Sequence, residues 1–233
     1  MLPRHVAVIM DGNGRWARKH AVGVALGHRR GVEALREIVR YSSDAGIQVL
    51  SLYAFSTENW TRPQAEVGAL MRLVEDFFVS EIEELDEKQV SIRILGEIGA
   101  LPDGARKAAA AAVERTRDNG GLQLNIALNY GARDEILRAA KRLAQEAAGG
   151  FLHAAEATRE DFERHLYTAS QPDVDLLIRP GGERRLSNFL LYQCAYAELV
   201  FTDKLWPDFT AEDFKEALKA FDSRERRFGG REA

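Results

Sequence analysis

Short apolar runs recur along the whole chain, and most of them are continuously apolar and do not alternate with polar residues. This pattern is typical of strands that are buried on both faces of a parallel sheet. The runs that predict strands are residues 5–10, 49–55, 90–95, 122–129, 174–179 and 198–202.

Helical patterns lie between these runs, with apolar residues three or four positions apart. The longest pattern runs from Val67 to Leu85, and a helix of that length would span roughly 28 Å. Thr210 and Asp213 have the spacing of a capping box and predict the start of a last helix. Alternating strands and helices predict an α/β fold, with a central, mostly parallel six-stranded sheet flanked by helices.

Composition limits the partners and the location. A chain of 233 residues fits one domain, 1–233, and its 45% hydrophobic and 29% charged residues are ordinary for a soluble protein. The net charge of −4 argues against a nucleic-acid partner. Cys194 is the single cysteine, and the apolar run at residues 5–10 is too short for a signal peptide or a membrane span, so we expect a cytoplasmic protein.

Two Gly- and Arg-rich segments follow predicted strands. Residues 11–16 read DGNGRW, and residues 179–189 read RPGGERRLSNF. Glycines let the backbone approach a ligand, and arginines can fork onto phosphate oxygens. Because the carboxyl ends of parallel strands meet at one edge of a sheet, the two segments predict a phosphate and metal site there. A tight Asx turn and a solvated charge run are the alternative interpretations.

Three further segments carry polar groups that could belong to this site. GHRRG at residues 27–31 suits a diphosphate near a helix start, and STENWTR at residues 56–62 ends the second predicted strand. Glu198 lies against an apolar run, where a carboxylate is either paired or a metal ligand. A phosphatase of the haloacid dehalogenase type is disfavoured, because Asn13 stands where that class needs a second aspartate.

Together these segments resemble the cis-prenyltransferases. The DGNGRW, GH, SxENWxRP and RxGGExRxSNF blocks and a terminal RxG occur in the order of that family, over residues 5–230. The resemblance implies a hydrophobic product tunnel with one wall from the 67–85 helix. It implies sequential cis-condensation of isopentenyl diphosphate onto an allylic diphosphate, farnesyl diphosphate, with Mg²⁺ as cofactor. Since the chain has no DDxxD motif, the trans-prenyltransferase mechanism is not supported.

The resemblance also implies residue roles. Asp11 is the essential carboxylate and metal ligand, Asn59 handles the proton, and Glu198 is a metal ligand contributed across a homodimer interface. The resemblance implies that the allylic diphosphate is bound by Gly12, Asn13, Gly14, Arg15 and His28. It implies that isopentenyl diphosphate is bound by Arg179, Arg185 and Ser187. The other substrate-binding residues are Trp16, Ser56, Thr57, Glu58, Trp60, Arg62, Leu186 and, in the terminal RxG, Arg227 and Gly229.

Two positions predict the product length. Ala54 is small where short-chain members are bulkier, and Leu122 matches the large residue at the tunnel floor of long-chain bacterial members. The resemblance therefore implies an undecaprenyl-length carrier lipid for the cell wall and peptidoglycan, released through transient contact with the inner membrane. The alternatives are a short- or medium-chain synthase and, less in keeping with the intact DGNGRW block, a non-catalytic partner subunit. Three departures from the family pattern are Val24, Pro180 and Arg184.

Overall fold

The computed structural model describes residues 2–224. Its centre is a six-stranded sheet of order β3-β4-β2-β1-β5-β6, in which every paired strand runs parallel to its neighbour. The strands are β1 (His5–Ile9), β2 (Val49–Ser56), β3 (Ser91–Leu95), β4 (Gln123–Tyr130), β5 (Leu176–Arg179) and β6 (Glu198–Phe201). All six predicted strands are confirmed, with ends that shift by one or two residues.

Helices connect the strands and cover both faces of the sheet. They are α1 (Asn13–Lys19), α2 (Val24–Asp44), α3 (Gln64–Glu87), α4 (Asp103–Arg115), α5 (Ala132–Ala148), α6 (Arg159–Glu163) and α7 (Ala211–Asp222). The predicted start of the last helix is confirmed, because the Thr210 N–H donates to Asp213 Oδ2 at 2.8 Å. Short 3-10 turns occur at Thr57–Thr61, Ile98–Ala100, Ala154–Glu156 and Trp206–Asp208. The α/β prediction is therefore correct.

Two apolar clusters pack against the two faces of the sheet. Val6 and Val8 of β1 belong to the larger cluster, with residues of α2, α3, α4 and α7. Ala7 and Ile9 point the other way, into a smaller cluster that includes Tyr130 and Phe189. Because successive side chains of a strand face opposite sides, burial of both faces explains why β1 is apolar from Val6 to Ile9.

A row of buried polar side chains crosses the second face near the amino-terminal ends of the strands. His5 Nε2 and Asn125 Nδ2 both lie within hydrogen-bonding distance of Ser51 Oγ, at 2.7 and 2.8 Å. Asn125 also exchanges hydrogen bonds with Gln171. Burial lowers the pKa of His5 to about 4, so the imidazole is neutral at physiological pH. These bonds join β1, β2 and β4, and a register slip would leave buried polar groups unpaired.

Helix α3 presents apolar side chains towards the larger cluster, as the sequence predicts. Leu70, Val74 and Ile82 are half-buried and pack against that cluster. Between α2 and α3 there is a cavity of about 10 Å³ lined in part by Val39 and Phe77. A space of that size holds at most one water, so the product tunnel implied by the resemblance is not open at this point. None of the helices in residues 2–224 is long and apolar enough to cross a membrane.

Candidate active site at the carboxyl ends of the strands

The loops after β1 and β5 meet through Asp11. Because β1 and β5 are neighbours in the sheet, their carboxyl ends bring these loops side by side. Asp11 Oδ2 lies 3.0 Å from Arg179 Nη2, and Asp11 Oδ1 lies 3.0 Å from Arg15 Nη2. Arg15 also donates a hydrogen bond to the Gly181 carbonyl. The carboxylate is therefore held between two guanidinium groups, one from each side of the loop pair.

Arg179 is a buried cation at the end of β5. Its side chain is only 4% exposed, and it donates to the Arg185 carbonyl and to Ser187 Oγ, the latter at 2.7 Å. Its Nε has no hydrogen-bond partner among the described residues. A buried guanidinium with an unused donor, next to a hydroxyl, suits an anionic group such as a diphosphate oxygen.

Glycines permit the close approach of the two loops. Gly181 and Gly182 have φ values of +100° and +79°, which side-chain-bearing residues rarely adopt. A Cβ atom on Gly181 would lie 2.9 Å from Arg15 Nη2 and 3.0 Å from the Asp11 carbonyl oxygen. The loop from β5 can therefore contact the Asp11 loop only with glycine at this position.

The DGNGRW segment packs against α2 and against the 3-10 turn at Trp206–Asp208. A Cβ atom on Gly31 of α2 would overlap Asn13 Oδ1, which is buried and has no hydrogen-bond partner in the described residues. Trp16 is buried, and its indole N–H donates to Asp208 Oδ1 at 2.8 Å. Asn13 and Trp16 thus anchor the loop, whereas Gly14 faces open space, since a Cβ atom there would have no neighbouring atom within 4 Å.

The third predicted segment is the Thr57–Thr61 turn after β2. Ser56 caps this turn, and its N–H donates to Asn59 Oδ1 at 3.1 Å, which holds the Asn59 side chain in place. The Trp60 indole N–H donates to Asn129 Oδ1 at 2.8 Å, and its ring lies edge-on to Phe55. The turn therefore has a defined shape at the same edge of the sheet as Asp11.

Glu66 links two of the predicted phosphate-binding residues and was not anticipated from the sequence. Its Oε1 lies 3.4 Å from His28 Nε2 and 3.0 Å from Arg62 Nη1. Burial lowers the pKa of His28 and outweighs the opposing effect of the Glu66 hydrogen bond. His28 therefore acts as a neutral hydrogen-bonding group at physiological pH.

Thr57 and Glu58 lie at the junction of this turn with the loop from β5. Glu58 Oε1 accepts a hydrogen bond from Asn188 Nδ2 at 2.9 Å, and Thr57 Oγ1 lies 3.4 Å from Asp134 Oδ2. Desolvation raises the pKa of Glu58, but hydrogen bonds from Asn188, its own backbone, Ser56 and Thr57 together leave that pKa lowered. Glu58 is therefore ionised at neutral pH.

Other predicted residues lie at the rim or outside the site. Arg185 is exposed and pairs with Glu183 at 2.5 Å, and Leu186 packs against the smaller core cluster. Glu198 starts β6 and is in register with Leu176 of β5 and, through it, with Val6 of β1. Because the chain must run from Val6 to Asp11 along the strand direction, Glu198 lies roughly 16 Å from Asp11 in that direction. Within one chain Glu198 instead contacts Arg224 at 2.6 Å. Arg227 and Gly229 lie outside the described residues.

The donor set at Asp11 fits a magnesium ion that is held mainly by substrate. Among residues 2–224, no group of three or more His, Cys, Asp or Glu side chains is arranged to hold a metal ion. Mg²⁺ nevertheless binds commonly through one or two carboxylates together with substrate phosphates and water. Asp11, whose side chain is 28% exposed, supplies one such carboxylate next to the proposed diphosphate loops.

Comparison with known proteins assigns the family. A family model described as putative undecaprenyl diphosphate synthase matches residues 9–229. The chain belongs to this prenyltransferase family. An isoprenyl transferase of Geobacillus kaustophilus is 51% identical over 229 residues, covering 98% of this chain and 89% of the relative. The farnesyl-diphosphate-specific ditrans,polycis-undecaprenyl-diphosphate synthase of Micrococcus luteus is 47% identical, covering 98% and 92%.

Solved structures agree with this family assignment. Lavandulyl diphosphate synthase from Lavandula x intermedia, in complex with dimethylallyl diphosphate, superposes with a TM-score of 0.95 at 38% identity, covering 98% of each chain. A probable undecaprenyl diphosphate synthase from Campylobacter jejuni superposes with a TM-score of 0.80 at 36% identity, covering 98% and 99%. The predicted membership of the prenyltransferase family and the predicted fold are both confirmed.

Proposed function

We propose that this prenyltransferase adds isopentenyl diphosphate units to farnesyl diphosphate and forms a cis double bond at each addition. The observation that carries the proposal is the ion pair between Asp11 and Arg179, 3.0 Å apart. It brings the DGNGRW loop, which suits the leaving diphosphate, into contact with the loop that suits the diphosphate of the second substrate. The reaction needs two diphosphates bound side by side, as this arrangement permits.

The two diphosphates have separate donors in this proposal. The allylic diphosphate binds to the backbone and side chains of Gly12 to Arg15 and to His28. Isopentenyl diphosphate binds to Arg179, Arg185 and Ser187, of which Arg179 and Ser187 are already in contact at 2.7 Å. Arg62, which directly follows the turn after β2 and pairs with Glu66 at 3.0 Å, is proposed as a further cation for the diphosphates. Preorganised cations of this kind stabilise charge that develops as the diphosphate leaves.

In the condensation, the carbon–oxygen bond to the allylic diphosphate breaks and a carbon–carbon bond to isopentenyl diphosphate forms. The second substrate then loses a proton from the carbon next to its cationic centre, and the departing diphosphate takes up this proton. Asn59, whose Oδ1 accepts from the Ser56 N–H, is the residue proposed to orient this transfer. A Mg²⁺ bound at Asp11 supplies Lewis-acid neutralisation of the leaving diphosphate. Trp60, which packs edge to face against the buried Phe55 at 4.9 Å, offers apolar surface that would exclude water from the reacting carbons.

A long product, of undecaprenyl length, is the expected outcome. The support is the activity for which the Micrococcus luteus relative is named, together with the apolar side of α3 that packs towards the larger cluster. A short- or medium-chain synthase is the second candidate, since the structure named lavandulyl diphosphate synthase, bound to dimethylallyl diphosphate, shares this fold with a TM-score of 0.95. Product length separates these two candidates.

A homodimer would complete the site. Glu198 lies far from Asp11 within one chain, so its proposed role as a metal ligand requires a partner subunit. Removing the residues after Ser223, which include Arg227 and Gly229, should lower activity without unfolding the core. Full activity in the shortened protein, or an active monomer by light scattering, would contradict the composite site. In a bacterium such an enzyme would work in the cytoplasm and contact the inner membrane to release its product into cell-wall synthesis.

The direct test is incorporation of labelled isopentenyl diphosphate into butanol-extractable product. We expect incorporation that requires both an allylic diphosphate and Mg²⁺, and that stops when EDTA is added. Hydrolysis of either diphosphate without carbon–carbon bond formation would instead indicate a phosphatase, and no turnover in a folded protein would indicate a non-catalytic subunit.

A further inference from the structure

Asn188 joins three loops at the edge of the active site. Its Nδ2 donates to Glu58 Oε1 at 2.9 Å, and its Oδ1 accepts from the Arg133 N–H at 2.9 Å. Its carbonyl accepts from the Ala132 N–H at 2.8 Å. Asn188 therefore connects the loop after β5 with the turn after β2 and with the start of α5.

Gly131 lies at the centre of this junction. A Cβ atom at Gly131 would come within 2.8 Å of Asn188 Nδ2, 2.8 Å of Asp134 Oδ2 and 2.9 Å of Thr57 Oγ1. Glycine at this position lets the side chains of Asn188, Thr57 and Asp134 approach one another closely. The loop after β5, the turn after β2 and the first turn of α5 therefore pack together here.

The sheet itself does not set the distance between the loops that Asn188 joins. β2 and β5 lie on opposite sides of β1 and share no ladder of hydrogen bonds. Ser187 and Asn188 have φ values of +50° and +61°, so the loop turns sharply well beyond the end of β5 at Arg179. The position of this loop relative to the turn after β2 therefore depends on bonds outside the strand ladders, among them the Asn188–Glu58 side-chain bond, the bond from the Tyr53 hydroxyl to the Ser187 carbonyl and the bond from the Ala132 N–H to the Asn188 carbonyl.

Each partner in the Asn188–Glu58 bond is next to a residue of the proposed reaction. Asn188 follows Ser187, whose hydroxyl contacts Arg179, and Glu58 precedes Asn59. The Ser187 carbonyl is also held by the Tyr53 hydroxyl at 3.3 Å. We propose that Asn188 is a positioning residue that sets the spacing between the isopentenyl diphosphate site at Ser187 and the proton-handling amide at Asn59. The inference rests on the proposed condensation activity.

The test uses three changes at this bond. Asn188→Gly removes the side chain at a backbone conformation that glycine adopts freely. Asn188→Asp keeps the shape but places a carboxylate against Glu58, and adding Glu58→Gln restores a donor–acceptor pair with reversed polarity. We expect Asn188→Gly and Asn188→Asp to lower kcat/KM for isopentenyl diphosphate about tenfold or more, with the KM for farnesyl diphosphate unchanged. In the Asn188→Asp background, Glu58→Gln should recover part of that loss, as a double-mutant cycle measures.

Asn119→Asp is the matched control. Asn119 Nδ2 donates to Asp86 Oδ1 at 3.0 Å, so this change also sets a carboxylate against a carboxylate, but before β4 at the opposite edge of the sheet. It should leave kcat/KM unchanged. If the Asn188 variants lose no more activity than Asn119→Asp, or if Glu58→Gln brings no recovery, Asn188 is only structural and the inference is wrong.

Fluorescence gives a second readout that does not depend on turnover. Of the three tryptophans, Trp16 and Trp206 are buried and Trp60, in the turn held by Asn188, is 38% exposed. Acrylamide quenching of Trp60 should increase in Asn188→Asp, return towards wild type with Glu58→Gln, and stay unchanged in Asn119→Asp. Altered quenching in a protein that lacks condensation activity would refute the proposed function but support the positioning role, whereas unaltered quenching would refute the positioning role.

Discussion

Replacing Asp11 should separate its contribution to catalysis from its contribution to stability. Asp11 is the partner of Arg179, a cation that is only 4% exposed. A hydrogen bond to a charged group stabilises a protein by about 1.5–3 kcal/mol. Because Arg179 keeps its contacts with the Arg185 carbonyl and Ser187 Oγ, we expect Asp11→Ala to lower the free energy of unfolding by about 1–2 kcal/mol and to leave the protein folded.

The effect on condensation should be larger than the effect on stability. Loss of one preorganised electrostatic group at the leaving diphosphate lowers kcat by roughly 10²-fold or more. Asp11→Asn, which keeps an amide oxygen near Arg179, should be closer to wild type in stability but equally impaired in turnover.

The assays are urea denaturation and incorporation of labelled isopentenyl diphosphate with Mg²⁺. Asp103→Asn is the matched control, because Asp103 has an exposed ion pair with Arg106 far from the site and should change neither quantity appreciably. Near-normal turnover of Asp11→Ala would refute the catalytic role. An unfolding free energy equal to that of wild type would refute the stabilising ion pair.

Five buried or closely packed positions give four further predictions. The pKa of His5 is about 4 in the folded protein and 6.5 in the unfolded chain. The unfolded state therefore takes up the proton first, and the free energy of unfolding decreases as pH falls below 6.5. Urea denaturation should show a decrease of about 2 kcal/mol between pH 7.5 and pH 5, and a smaller decrease in His5→Gln. Gly31→Ala should destabilise the protein by about 1–3 kcal/mol, because the new Cβ atom would overlap Asn13 and Trp206. Gly99→Ala, which has free space around it, should not destabilise it. Equal melting temperatures for the two variants would contradict this prediction. Ala54→Leu should shorten the product and Leu122→Ala, at a residue 3% exposed in the larger cluster, should lengthen it, as chromatography of the dephosphorylated products would show. Cys194 is buried and its pKa is raised to about 12, so it should react with a thiol reagent only after unfolding; rapid reaction in buffer would contradict its burial.

The strands and the main loops could be predicted from the sequence because local patterns determine them. The run from Val6 to Ile9 is apolar on both faces, which indicates a central parallel strand, and this is where β1 lies. Asp11 and Arg179 each end such a strand, so their meeting at one edge follows once the two strands are neighbours. What the pattern does not contain is the strand order, which depends on packing across the whole sheet.

The contacts missed by sequence reasoning are those between distant loops. Glu66 begins α3 and reads as an ordinary first-turn carboxylate, yet it contacts both His28 and Arg62. Asn188 belongs to a motif in which the arginines indicate phosphate binding and draw attention away from the asparagine. The proposed role of Asn188 depends on its hydrogen bond to Glu58, which lies 130 positions away in the chain. The separation of Glu198 from Asp11 likewise becomes visible only when β6 is placed at the sheet edge in register with Leu176.

The length of the product formed from farnesyl diphosphate tests the central claim most directly. The wild-type chain is incubated with farnesyl diphosphate, excess labelled isopentenyl diphosphate and Mg²⁺, and the dephosphorylated products are separated by chain length and their new double bonds assigned by NMR. The account predicts a long product of undecaprenyl length in which every added double bond is cis. A product that stops after one or two additions would contradict the long-chain assignment, and trans double bonds or an absence of carbon–carbon bond formation would contradict the proposed function.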